Sequence, residues 1–133
     1  MSDRTETGVR AAIEDLMNVA VHGDASGLDR VYHKDMQILM LDISGELARF
    51  DKPGFMALMA SSVKDTNPDD HKWARFNAVE AVGDQGHVLI TRRVPIGEAR
   101  KVLELSIDLV FEDDRWQVTR EVIFARPDPD PIS

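Results

Sequence analysis

The chain has 133 residues, no cysteine and a formal net charge of −8. That length is one domain's worth and can bury a core without staples, while the missing cysteines exclude disulfides, thiolate metal sites and cysteine nucleophiles. The acidic balance disfavours nucleic acid and anionic membranes, both of which need clustered Lys and Arg.

Residues 5 to 22 predict an amphipathic helix, because Val9, Ile13, Leu16, Met17 and Ala20 recur at helical spacing. Gly23 is the expected stop, and Asp24 the cap of a second, shorter helix through Leu28, Val31 and Tyr32. Two apolar runs follow, Gln37 to Ile43 and Glu46 to Phe50, joined by Ser44-Gly45; they predict a hairpin. Asp51 is placed to cap a third helix bearing Pro53 in its first turn and Phe55, Leu58, Met59 and Val63 on one face. Asp65 to Asp70 has the composition of a loop.

Four strands are then expected: Trp73–Val82, His87–Ile96, Lys101–Phe111 and Arg115–Phe124, with turns at Gly83–Gly86, Pro95–Glu98 and Glu112–Asp114. From Arg126 the Pro-Asp alternation predicts a segment that does not pair in a sheet, so residues 1–126 read as a single domain and 127–133 as a flexible tail. The polar N-terminus lacks a leader-like apolar stretch and no apolar run approaches ~20 residues, so a cytoplasmic chain with no membrane span is expected. Helices followed by antiparallel strands define an α+β fold.

Strand alternation nominates two cations. Arg92 shares a face with Val88, Ile90, Val94 and Ile96; Arg120 shares one with Trp116, Val118, Val122 and Phe124. A guanidinium in apolar surroundings needs a carboxylate, so each arginine either recognises an anionic group on a ligand or pairs internally, with Asp42 or Glu104 as candidates. Methionines concentrate in the first half, and Met40 and Met59 with Phe55 could shape an apolar ligand cavity or simply fill the core. Asp42 falls on the face of Ile38 and Met40, and is either a site carboxylate or a turn residue. Asp108 falls on the face opposite Leu105, Ile107 and Leu109. The four histidines lack metal-ligand spacing, and phosphate-loop and nucleophile-elbow motifs are absent, so no metal or cofactor is expected.

His22-Gly23-Asp24 with Leu28 and Tyr32-His33-Lys34-Asp35, and later Asp108-Leu109-Val110-Phe111 through Arg115-Trp116-Gln117-Val118, give the chain a family likeness. It resembles the nuclear transport factor 2-like superfamily, and within it the SnoaL-like and "putative lumazine-binding" bacterial branches. The resemblance implies a cystatin-like cone in which a strongly bent antiparallel sheet wraps three N-terminal helices. It implies a pocket lined by Tyr32, His33, Met40, Phe55, Met59, Arg92, Trp116 and Arg120, open to a small organic molecule, carboxylate-bearing if the arginines bind it. It also implies a homodimer through the outer sheet face; a further alternative is a dimeric interaction module, to which Val102, Val110 and Ile123 would contribute if that face is exposed in the monomer. If the chain is an enzyme, the resemblance implies cofactor-free isomerase, cyclase or dehydratase chemistry, with Asp42-Ile43-Ser44-Gly45 standing where isomerases carry Asp-Pro-x-Gly and Asp42 as general base. The isomerases' tyrosine lies on the first helix, where this chain has Leu16 and Met17.

Overall fold

The computed structural model describes residues 4–21, 25–62, 73–96 and 99–127. The elements in chain order are α1 (Glu6–Val21), α2 (Ala25–Val31), β1 (Tyr32–Leu41), β2 (Leu47–Asp51), α3 (Lys52–Ser62), β3 (Ala74–Val82), β4 (Gln85–Ile96), β5 (Ala99–Glu112) and β6 (Arg115–Pro127). The six strands form one curved, unclosed sheet in the order β2-β1-β6-β5-β4-β3. The helices lie against its concave face, giving the α+β cone expected from the sequence.

The apolar stripe of α1 does what its spacing requires. Val9, Ile13, Leu16, Val19 and Ala20 are buried against β3, β4 and β6. Gly86 permits the close approach of α1, since a Cβ there would stand 2.9 Å from a Val9 methyl and 3.2 Å from the Trp116 ring. Asp51 caps α3 as expected, its Oδ1 accepting the Gly54 N–H at 3.0 Å. The acidic β5–β6 turn places Asp113 and Asp114 at φ 56° and 61°, the two positive angles of a tight hairpin turn.

Two pairings differ from the sequence expectation. β1 starts at Tyr32, directly after α2, and pairs parallel to β6 from Tyr32↔Val118 to Leu41↔Phe124. β6 continues past Phe124, with Arg126 and Pro127 opposite Val102 and Lys101. The expected break at Arg126 is thereby corrected: β1 has ended at Leu41, so this stretch of β6 has a neighbour on one side only and tolerates a residue without an N–H. The positions expected for the second helix cap, Gly23 and Asp24, and the loop 65–70 lie outside the described residues.

The decisive irregularity is in β6. Leu109 pairs with Val118 but Asp108 pairs with Arg120, so Thr119 is an extra residue, and its hydroxyl donates to the Asp108 carbonyl at 3.2 Å. Because side chains alternate with period two, this bulge reverses the faces of everything after it. Trp116 and Val118 face the core before the bulge; Glu121 and Ile123 face it afterwards.

Candidate functional site

One row of opposed residues crosses the whole concave face: Phe50, Ile38, Glu121, Ile107, Val88 and Val79, from β2 to β3. Five are apolar and buried or half-buried. The sixth is a glutamate only 3 % exposed. An ionised carboxylate in such surroundings is costly, and burial pushes the Glu121 pKa from 4.5 to about 7. Two groups oppose that rise: a hydrogen bond from the Tyr32 hydroxyl, then the positive charge of Arg92. Glu121 Oε2 is buried and has no hydrogen-bond partner.

Tyr32 reaches Glu121 because it sits at the junction of α2 and β1, which is pinned from two sides. The Lys52 ammonium donates to the carbonyls of Asp29 at 2.9 Å and Tyr32 at 2.8 Å, and pairs with the Asp29 carboxylate at 2.9 Å. The Tyr32 ring meets Phe55 edge-on at 5.6 Å, and Phe55 meets Phe50 at 6.0 Å. Burial, reinforced by the negative charge of Glu121, keeps the Tyr32 phenol protonated far into the alkaline range. Arg92 is half-buried on the inner face of β4, opposite Ala74 and Leu103. Burial lowers its pKa, while the charge of Glu121 and Tyr32 act the other way.

The remaining expected residues fall into separate places. Met40 is half-buried against the core, and Phe55 and Trp116 are buried in it, Trp116 meeting Phe111 edge-on at 5.4 Å. Met59 lies on α3, with its side chain outside those described. His33 is buried on the other side of β1 from Tyr32. Its Nδ1 accepts the Asp35 N–H at 3.1 Å, so Nε2 carries the proton and donates to Glu112 at 2.8 Å, tying β1 to the β5–β6 turn.

Three expectations are corrected. Arg120 was expected inside with Val118, but the Thr119 bulge turns it outward, where it is exposed and lies across from Asp108. The same bulge moves Ile123 from the expected outer face into the core, 3 % exposed, and Val102 is also buried at 3 %. Asp42 was expected on the interior face, but β1 ends at Leu41 and Asp42 belongs to the exposed turn before β2. There its N–H donates to the Glu46 carbonyl and its carbonyl accepts from Gly45, each at 2.9 Å. The Ile43 N–H and then the Lys101 ammonium, 3.3 Å away, hold its carboxyl below the usual aspartate value. Of the carboxylates proposed to pair with the arginines, Asp42 pairs with Lys101 and Glu104 with Arg126, each at 3.3 Å.

Glu121 is the residue that alternation missed. Its one sequence signal was Ile123, which with Glu121 forms the alternative inward set. An open cleft of about 330 Å³ also lies beside β1 and β2, lined by Gln37, Leu39, Arg49, Asp51 and Gly54 with Ile38 and Phe50. Among the described residues there is no cluster of potential metal ligands, and no helix is long and apolar enough to cross a membrane.

Three helices against a curved, unclosed six-stranded sheet match the fold of solved nuclear transport factor 2-like proteins. A nuclear transport factor 2-like protein of unknown function from Silicibacter pomeroyi DSS-3 superimposes with a TM-score of 0.73 at 16% identity, over 88% of this chain and 92% of that one. One from Shewanella baltica OS155 gives 0.70 at 14% identity, over 90% and 92%. One from Pseudomonas putida KT2440 gives 0.67 at 20% identity, over 94% and 89%. No curated protein matches the sequence significantly. The family described as "Putative lumazine-binding" matches residues 4–122, and the chain belongs to that family.

Proposed function

We propose that this chain binds a small organic molecule in the interior of the cone, at the polar cluster of Glu121, Tyr32 and Arg92. The observation that carries the reading is Glu121 Oε2, a buried carboxylate oxygen that accepts no hydrogen bond. Leaving such an acceptor unsatisfied costs about 1–3 kcal/mol, and more when the group is charged. A donor on a bound molecule removes that cost. The apolar residues on either side of Glu121, Ile38 and Ile107, supply the surface such a molecule would cover. The family description, which names a small heterocycle, agrees with this reading.

The alternative of isomerase-type proton abstraction by Asp42 has no support in its exposed, lysine-paired position. The test of the binding reading is a fragment screen monitored by methyl resonances of Ile38 and Ile107, with the exposed Ile43 as control. Fragments that shift the two interior methyls and compete with one another support it. Fragments that shift only surface resonances contradict it.

The outer sheet face favours a second, compatible reading, a homodimer. Leu47, Leu41 and Phe124 are directly opposed across β2, β1 and β6 and are 51%, 36% and 50% exposed. The polar row Gln37, Arg120, Asp108 and His87 runs across the same face. It carries one charge of each sign side by side, so a two-fold-related copy can set its Asp108 against Arg120 while the apolar rows meet.

A further inference from the structure

We infer that Ser106, His87 and Glu80 form an acyl-transfer site on the outer sheet face, which takes activated esters of a small apolar acyl group and passes through an acyl-Ser106 intermediate. The site lies on the opposite side of the sheet from the interior cluster and does not rest on the binding reading.

Strand register builds the site. Glu80 of β3 is directly opposite His87 of β4, and Ser106 of β5 is one diagonal step from His87, because Leu89 is the residue opposite it. Diagonal neighbours stand about 7–8 Å apart, a span that side chains bridge. Glu80 Oε1 lies 3.4 Å from His87 Nδ1, and His87 Nε2 lies 2.9 Å from Ser106 Oγ. The carboxylate favours the proton on Nδ1, so Nε2 is left to accept the Ser106 hydroxyl proton. Nucleophile, base and the group that orients the base thus follow one another across β5, β4 and β3. The His87 side chain is 33% exposed and Ser106 is half-buried, so a substrate reaches both.

The neighbours of Ser106 define the substrate. Arg120 stands diagonal to it on the other side, since Val122 is opposite Ser106 and Arg120 is opposite Asp108. Its exposed guanidinium supplies positive charge for an oxyanion. Ser106 lies within β5 with a paired strand on each side, so the ladder engages the backbone N–H groups that would otherwise form an oxyanion hole. With one cation in their place, the substrate needs a good leaving group, as an aryl ester or thioester has and an amide lacks. Leu89, 40% exposed, and Val122 flank Ser106 and give the acyl chain an apolar bed.

In the first step Ser106 Oγ bonds to the ester carbonyl carbon and passes its proton to His87 Nε2. The bond from that carbon to the leaving group breaks, the electron pair departs on an aryloxide or thiolate that needs no proton, and His87 gives its proton to solvent. In the second step His87 takes a proton from water as the water oxygen bonds to the acyl carbon, then returns it to Ser106 Oγ as the carboxylic acid departs.

The test uses p-nitrophenyl butyrate, with nitrophenolate release followed by absorbance and the acyl group located by peptide mass mapping. Both are measured on the wild type and on Leu41→Glu combined with Phe124→Glu, so that a dimer covering this face does not hide the site. The expected result is saturable release and a butyryl group on Ser106. His87→Ala should slow acylation at least tenfold, below the ~10²–10⁴ that a well-positioned base contributes. Glu80→Gln, which changes only how the imidazole is held, should lower kcat with KM unchanged, and Leu89→Asn should raise KM. Butyryl groups on lysines or histidines but never on Ser106 overturn the site, and that mapping needs no variant. Release that is unchanged in Ser106→Ala or in His87→Ala overturns it as well.

Discussion

The Tyr32 hydroxyl donates to the Glu121 carboxylate inside the cone, joining the first strand of the sheet to its parallel neighbour by a side-chain bond as well as by the ladder. The two residues lie far apart in sequence and meet only because β1 runs directly out of α2 and beside β6. Removing the hydroxyl tests the bond. Tyr32→Phe keeps the edge contact with Phe55 and is expected to destabilise the fold by about 1–2 kcal/mol. Because the bond lowers the Glu121 pKa, its loss should also move that pKa above about 7. Carboxyl carbon resonances followed through a pH titration read the shift, and an unchanged or lower Glu121 pKa contradicts it.

The raised Glu121 pKa sets the sign of a pH dependence. Below about pH 4.5 the folded and unfolded states both hold this proton; between pH 4.5 and about 7 the folded state holds it and the unfolded state does not. Stability from this group therefore falls as pH rises through that window and is flat above it. At 1.36 kcal/mol per unit the loss is about 3 kcal/mol. Urea unfolding of the wild type and Glu121→Gln at pH 5 and pH 8 should show the wild type losing ground to the variant by an amount of this order. A constant difference between the two proteins excludes the account.

Two arginines that look equivalent in the sequence should behave differently. Arg120→Met removes an exposed side chain and is expected to stay within about 0.5 kcal/mol of wild type. Arg92→Met removes the positive charge that steadies Glu121, so the Glu121 pKa should rise further. Comparison of the two variants by the carboxyl titration checks this. Equal responses would mean that the Thr119 bulge does not divide the faces as described.

How much of this was legible beforehand turns on that one residue. The stripe of α1, the Asp51 cap and the hairpin turns were readable because local spacing and local hydrogen bonds fix them. The inward face of β4 was readable for the same reason, and Arg92 lies on it. Beyond Val118 the sequence offers apolar residues on either parity, Val122 with Phe124 on one and Ile123 on the other, and strict alternation from Trp116 and Val118 continues through the first set. A bulge costs one residue and leaves no strong local mark, so alternation alone puts Arg120 inside and Glu121 outside. The parallel β1–β6 pairing that places Tyr32 beside Glu121 is long-range and has no local signal.

The outer face makes its own prediction. If Leu41, Leu47 and Phe124 meet a second copy, Phe124→Glu combined with Leu41→Glu should convert a dimer into a folded monomer in sedimentation equilibrium. A wild type that is monomeric at high micromolar concentration removes the dimer reading and leaves the interior site untouched.

Close packing at Gly86 can be tested too. Gly86→Ala forces a methyl against Val9 and Trp116 and is expected to cost about 1–3 kcal/mol in thermal or chemical unfolding. A neutral substitution would show that α1 does not press on β4 as closely as described.

The most direct measurement of the central claim is a high-resolution crystal structure of the wild-type protein, read at Glu121 Oε2. A non-protein donor is expected within hydrogen-bond distance of that oxygen, either a small organic molecule or water holding its place, with Tyr32 on the other carboxyl oxygen. An Oε2 covered by protein donors, or packed dry against apolar side chains, would contradict it.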